Sequence, residues 1–236
     1  MIQRSLFSLA LVCAGSAAIA DCPQSMSDTG DGVYVSFNDF YVRYDRQADG
    51  SVLEQEVYLE DGAGFRVHSV SGAFVLQSWD TSYGALVSNT SEVTSYAIGV
   101  ENLPTLFPGL TWQGSTVRRH DDGTTNVETV DVLMEPESSI SLGACNYTTW
   151  PIRVTTTGSD GGAYIDRLTY LPSLGFAIYH GGSDAGEAFV PDVPVAISTE
   201  PPTVDSNGAM IGAAVGNPSP APAPAPAPAP SPDPSK

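Results

Sequence analysis

The chain has 236 residues, with 27 Asp and Glu against 9 Lys and Arg, a formal net charge of −18 at pH 7. A polyanion of that size repels nucleic acid and anionic lipid, so nucleic acid is excluded as a partner. Hydrophobic residues make up 42%, enough to bury a core, and beyond the N-terminus no apolar run approaches the ~18 residues of a membrane-spanning helix.

Residues 1–20 read as a secretory signal peptide. Arg4 supplies a thin positive start, apolar stretches at 6–12 and 14–19 follow, and Ala18-Ile19-Ala20 is a small-residue cleavage site. A buried N-terminal helix is the alternative, opposed by the polar, turn-forming residues that begin at Asp21. A lipid anchor on Cys22 is opposed by Asp21, which stands where a lipidation signal carries a small residue. Cleavage after Ala20 removes Cys13 and turns three cysteines into the pair Cys22 and Cys145. In an oxidising compartment such a pair is most simply a disulfide, with two independent thiols as the alternative. The bridge would close a loop of about 120 residues, valued at roughly 4–5 kcal/mol by loop entropy. The expected location is periplasmic or extracellular. The only lysine is Lys236, and the surplus of carboxylates suits solubility in a salty habitat or a polycationic partner.

From residue 21 to 182 short alternating or β-branched runs are punctuated by Gly and Asp turns, which defines one β domain. Strands are predicted at 33–37 and 40–44 and, after Asp49-Gly50, at 52–59. The turn Glu60-Asp61-Gly62 leads into 65–70, 73–79, 85–87 and 93–100. Beyond a loop holding Pro104 and Pro108, runs at 110–118 and 125–134 flank Asp121-Asp122-Gly123. Runs at 140–147, 152–157, 164–171 and 176–179 complete the series. Turn signals at roughly 8–12-residue intervals mark a sandwich or barrel, and no apolar pattern keeps a helical period long enough for a helix. The expected fold is all-β and antiparallel, a curved sheet, half-barrel or sandwich. Phe40, Val42 and Tyr44 share one side of their strand, and Tyr164, Asp166 and Leu168 oppose Ile165, Arg167 and Thr169. One-sided strands of this kind fit a sheet curved over a core or a ligand groove.

Thirteen of the 19 prolines lie from Pro191 onward. Residues 183–217 are expected to be a loosely structured linker, in which the apolar stretch 209–215 is too short to span a bilayer. Residues 218–230 are nearly pure Pro-Ala alternation, Ser-Pro-Asp-Pro-Ser-Lys follows at 231–236, and 218–236 are expected to be a disordered tail. Proline removes donors and holds its neighbours extended, so a semi-rigid rod of roughly 60 Å is predicted, at about 3.1 Å per residue. Such a tail serves as a spacer, as a ligand for a proline-recognising module, or only as a solvated extension.

The stretch 110–182 carries Leu142-Gly143-Ala144-Cys145-Asn146-Tyr147, then an aromatic strand at 164–170, then Leu171-Pro172-Ser173-Leu174-Gly175-Phe176. This order resembles the closing hairpins of bacterial periplasmic half-barrel proteins of the lipoprotein-carrier (LolA/LppX-like) group and its relatives, over about a third of the chain. Members hold acyl chains on the concave apolar face of the sheet, and the resemblance implies the same here. The strong acidity and the Pro-Ala tail depart from that pattern.

Candidate catalytic atoms are few. His68, His120 and His180 are the only histidines and none has the H-x-x-x-H or H-E-x-x-H spacing of a helix-borne zinc site. His120 and Asp121, in the charged group 118–123, are a weak acid/base or metal pair at a hairpin tip; the competing reading is a tight polar turn. Residues 28–32, Asp-Thr-Gly-Asp-Gly, lack the ligand series and closing Glu of an EF-hand loop. Glu54, Glu56, Glu60 and Asp61 would act as paired carboxylates only if folding set two across a cleft. Trp79, Trp112 and Trp150 are candidates for a sugar platform, with core packing as the plainer role. No nucleophile elbow is present, and no catalytic residue, metal or cofactor is assigned.

The leading expectation is a secreted or periplasmic, non-enzymatic β protein that binds an apolar or envelope-associated ligand on one face of a curved sheet. The alternatives are an extracytoplasmic hydrolase built around His120, Asp121 and carboxylates brought in from other strands, and a structural or surface-interaction protein spaced by its tail.

Overall fold

The computed structural model describes residues 22–26, 32–204 and 210–211. The signal peptide expected at 1–20, the Asp-Gly loop at 28–31 and the Pro-Ala tail at 218–236 lie outside the described residues.

The strands in chain order are β1 Val33–Ser36, β2 Phe40–Arg46, β3 Val52–Tyr58, β4 Ala63–Val70, β5 Phe74–Ser82, β6 Ala85–Leu86 and β7 Glu92–Tyr96. They continue with β8 Thr111–His120, β9 Thr125–Met134, β10 Ser138–Leu142, β11 Cys145–Gly158, β12 Ala163–Leu171, β13 Phe176–Asp184 and β14 Ala196–Ser198. All fourteen belong to one antiparallel, curved and unclosed sheet in the order β13-β12-β11-β9-β8-β7-β5-β4-β3-β2-β1-β14, with β10 on β11 and β6 on β5. A small pair, β15 Thr203–Val204 and β16 Met210–Ile211, stands apart. The all-β, antiparallel expectation is met.

Local chemistry explains the meander. The turn Tyr83-Gly84 has positive φ at both residues, as does Ser71-Gly72, the combination whose twist matches the flanking strands of a two-residue hairpin. Gly72 also sits against β13, where a Cβ would meet the Ala177 nitrogen at 2.5 Å. The run expected at 140–147 is split in two, because Gly143 at φ 63 reverses the chain between Leu142 and Cys145. Beyond it β11 runs unbroken through Pro151, where a strand start had been expected at 152. Its first part pairs with β10 and its second with β9; Pro151, which has no N–H to offer, stands at the changeover, and its carbonyl accepts the Glu135 amide. In the stretch expected as linker, β14 pairs with β1 and extends the sheet edge.

The sheet curls until its two ends overlap. Phe176, Ala177 and Ile178 of β13 are all fully buried, so this strand is covered on both faces. Phe176 and Ile178 pack with Val33, Val35, Val42 and Tyr44 of β1 and β2, and the Tyr44 and Phe176 rings stack at 4.0 Å. Arg46 donates to the carbonyls of Leu174 and Gly175, and Val195 accepts the Gly143 amide while donating to Ser36. Cys22 and Cys145 form the expected disulfide, 123 residues apart, at the edge of this same core, and the Tyr147 hydroxyl donates to Pro23. A second core of Phe74, Leu106, Leu110, Val132 and Met134 fills one end of the concave side. There Trp112 crosses Phe74 edge-on at 5.3 Å.

Two outcomes test this arrangement. Cys145→Ser, or reduction of the wild type, should remove about 4–5 kcal/mol from the unfolding free energy obtained by chemical denaturation, on loop entropy. Phe176→Ala, which empties the overlap of the sheet ends, should cost about 3–5 kcal/mol, as large core truncations do. Equal melts with and without reductant would remove the bridge from the stability of the fold.

Candidate functional site

The strand alternation that builds the fold also selects the residues of the concave face. Register pairs Tyr44 with Glu54, Glu54 with Val67, Val130 with Thr156 and Thr156 with Tyr164, so these side chains line one surface although they come from six strands. The second core fills one end of that surface. Above it the sheet encloses a cavity of about 660 Å³. Ala73, Val130, Val154 and Leu168 belong both to the core and to the cavity, and form its floor. Exposed Phe65, Tyr164, Asp160 and Asp184 stand around the opposite end and form its mouth. Gly182 has no Cβ to obstruct the Tyr164 ring, which lies across it.

The middle tier is polar. Glu54 and Glu56 project from β3, Glu92 from β7, Glu128 from β9 and Asp166 from β12, while Arg118 of β8 is the one cation among the lining residues. The guanidinium lies 3.3 Å from Glu92 and 3.3 Å from Glu128, which occupies its charge. Ser69 donates to Glu54 at 3.1 Å, and the Tyr179 hydroxyl donates to Asp166 at 3.1 Å. Glu56 Oε1 is buried without a partner. Tyr44 is fully buried and its hydroxyl donates to nothing; only the Tyr179 amide approaches its oxygen.

Burial dominates the titration of these groups. It pushes Glu54 up to about 8, against the pull of the Ser69 hydrogen bond, with the neighbouring Glu56 adding to the rise. Burial, then Asp192 and Asp39, push Glu56 up to about 7. Asp166 is raised by burial as well, opposed by the Tyr179 hydrogen bond and by Arg118. In a low-dielectric site without enough countercharge, the neutral acid is the cheaper form.

The other sequence candidates take different places. His120 closes β8 with Nδ1 3.0 Å from Glu92 and Nε2 3.1 Å from the Asn126 amide. Asp121 instead accepts the Ser91 amide at 2.9 Å. Each side chain thus serves a different neighbour at the hairpin tip, above a shallower pocket of about 490 Å³. His68 contacts Ser51, and His180 bridges Thr169 and the Asp192 carbonyl. Of the carboxylates singled out on β3 and its turn, Glu54 and Glu56 enter the cavity, whereas Glu60 and Asp61 remain exposed at the turn. Trp112 and Trp150 pack against the second core, and Trp79 lines the shallower pocket. Among the described residues no group of three or more His, Cys, Asp or Glu is placed to hold a metal ion.

Sequence reasoning passed over Arg118, Glu128 and Tyr179 as cavity residues. The available signal was a charge or hydroxyl in phase with the apolar residues of its strand, as in Glu128, Val130 and Val132. Comparison with known proteins returns no match: no family model, no curated protein and no solved structure is significantly similar to this chain.

The Glu54 environment makes stability depend on pH in a defined sense. The fold keeps this proton to about pH 8 and the unfolded chain releases it near 4.5, so stability falls as pH rises through that window. Glu54→Gln, which cannot ionise, should match wild type near pH 4 and exceed it near pH 8 by on the order of a few kcal/mol. Urea titrations at the two pH values check this. A difference independent of pH would mean that Glu54 ionises as readily in the fold as out of it.

Proposed function

We propose that the chain works outside the cytoplasm as a non-enzymatic binding protein that takes a small, largely apolar, envelope-associated ligand into the concavity of its sheet. The observation that carries this reading is the cavity itself. Its volume, about 660 Å³, falls within the range of roughly 300–1,000 Å³ typical of small-molecule sites. Its floor and much of its wall are aliphatic, which suits an acyl or similar body, in keeping with the acyl chains implied by the lipoprotein-carrier (LolA/LppX-like) resemblance.

Periplasmic or extracellular placement is supported by the Cys22–Cys145 bridge, which persists in oxidising compartments, and by the export signal read at 1–20. No helix among the described residues is long and apolar enough to cross a membrane. For the hydrolase reading, His120 does meet a carboxylate from another strand, Glu92, but Asp121 turns to the Ser91 amide and takes no part in that contact.

The neutral dye N-phenyl-1-naphthylamine, which brightens on leaving water, should bind the mature protein saturably with a stoichiometry of about one, the value for a single enclosed site. Val67→Trp places a large ring into the cavity from β4 and should weaken dye binding at least ~10-fold, ~1.4 kcal/mol, without lowering the melting temperature. Dye that fails to saturate, or binds the variant equally well, would remove the cavity as the site.

A further inference from the structure

The chemistry of the cavity wall restricts the kind of ligand it takes. Ordinary apolar carriers line their cavities with aliphatic and aromatic groups and a few neutral polar ones. Here the middle tier is acidic, and the one cation that faces it, Arg118, is already held between Glu92 and Glu128. Glu54, Glu56 and Asp166 are left facing the cavity with hydroxyl partners or none, and among the described residues no positive side chain forms an ion pair with them.

Two further observations point to a missing ligand group. The Tyr44 hydroxyl, fully buried on the cavity wall, has no acceptor for its proton, and Glu56 Oε1 is buried without any partner. Buried polar atoms in folded proteins are paired in the great majority, so unpaired ones lining a cavity mark where something else belongs. The surrounding rings supply the second half of a recognition chemistry. Phe65, Tyr96, Tyr164 and Tyr179 line the same space, and aromatic faces beside carboxylates are what a desolvated ammonium group prefers.

Resting on the cavity reading above, we infer that the ligand is a cationic amphiphile, an alkyl amine or quaternary ammonium compound. Glu54, Glu56 and Asp166, with the tyrosine rings, receive its head, and Val67, Val130, Val154 and Leu168 receive its apolar body. An anionic head of the same length would find no countercharge on this wall and would oppose any ionisation of the carboxyls, and a neutral one would supply them no countercharge. Entry of a cation supplies the countercharge whose absence keeps the carboxyls protonated, so binding expels protons. The groups that set this balance are Ser69 and Glu56 against Glu54, Asp192 and Asp39 against Glu56, and Tyr179 and Arg118 against Asp166.

The test is isothermal titration of the mature, disulfide-bonded protein with three eight-carbon probes at ~0.15 M salt, where the Debye length of about 8 Å screens the outer surface. Octyltrimethylammonium should bind at least ~10-fold tighter than 1-octanol, and octanoate should bind more weakly than either. At pH 7 the cation should release protons, read from the dependence of the heat on buffer. Glu54→Gln combined with Glu56→Gln should abolish the preference while keeping octanol binding, and Asp166→Asn should reduce it. Glu135→Gln with Glu137→Gln, on the exposed loop after β9, should leave it intact. Equal binding of octanol and the cation, with dye binding retained, would overturn the cationic head and leave the cavity reading standing. Failure of all three probes and of the dye would overturn both. A preference that survives the Glu54, Glu56 and Asp166 variants would assign it to the outer surface and overturn the inference.

Discussion

The overlap of the sheet ends is the constraint on which the molecule depends. A meander of this length has two free edges and one broad apolar face, and either left open is a hazard for self-association. Here β13 is drawn under β1 and β2. Its Phe176 stacks on Tyr44, and Arg46 takes up carbonyls of the turn that precedes it. A strand covered on both sides loses the alternating pattern, which is why Phe176-Ala177-Ile178 is a continuous buried run while β2 alternates. The disulfide and Val195 tie the same junction from the chain's two ends.

That mode of closure also creates the cavity. A sheet that overlaps itself is not forced to the narrow radius of a small closed barrel, so side chains fill its interior only where they are large. Trp112, Phe74 and Met134 do so at the floor. Higher up, the inward positions are Val, Thr and Gly or carry carboxyl groups, and carboxyls do not pack against one another. Removing charge from water without a partner costs several kcal/mol, so Glu54 keeps its proton and lowers the stability of the fold above the ordinary carboxyl range. A group retained at such a cost, in a space it fails to fill, fits a site shaped by binding better than one shaped by stability.

Much of the scaffold was legible in sequence, and for physical reasons. Glycine-bearing turns and period-two runs are local properties, and Phe40, Val42 and Tyr44 fall on the predicted side of β2. The bridge followed from removing Cys13. The cavity was only half legible. Asp166 was seen in phase with Tyr164 and Leu168, and Glu54 and Glu56 were noticed among four carboxylates with Glu60 and Asp61, yet nothing local says that β3 and β12 face each other across one space. That depends on strand order and on how far the sheet curls, which are set by contacts more than a hundred residues apart. His120 and Asp121, weighed in sequence as a weak pair against a tight polar turn, show that adjacency is not proximity. At the end of a strand, neighbours point to opposite faces, and each finds its own partner.

The acidity of the chain therefore has two parts that act over different ranges. Carboxylates on the outside are screened by salt within about 8 Å, and they repel other polyanions without selecting a small molecule. Those inside are partly removed from water, so a charge formed there weighs more and is screened less. A concave face that holds Glu54, Glu56 and Asp166 cannot treat an acyl carboxylate and an alkyl ammonium alike, whatever the net charge of −18 contributes outside. On the binding reading proposed above, the aliphatic floor would set the size of what enters, and the carboxyls above it, which have no ion-pair partner, would set the sign.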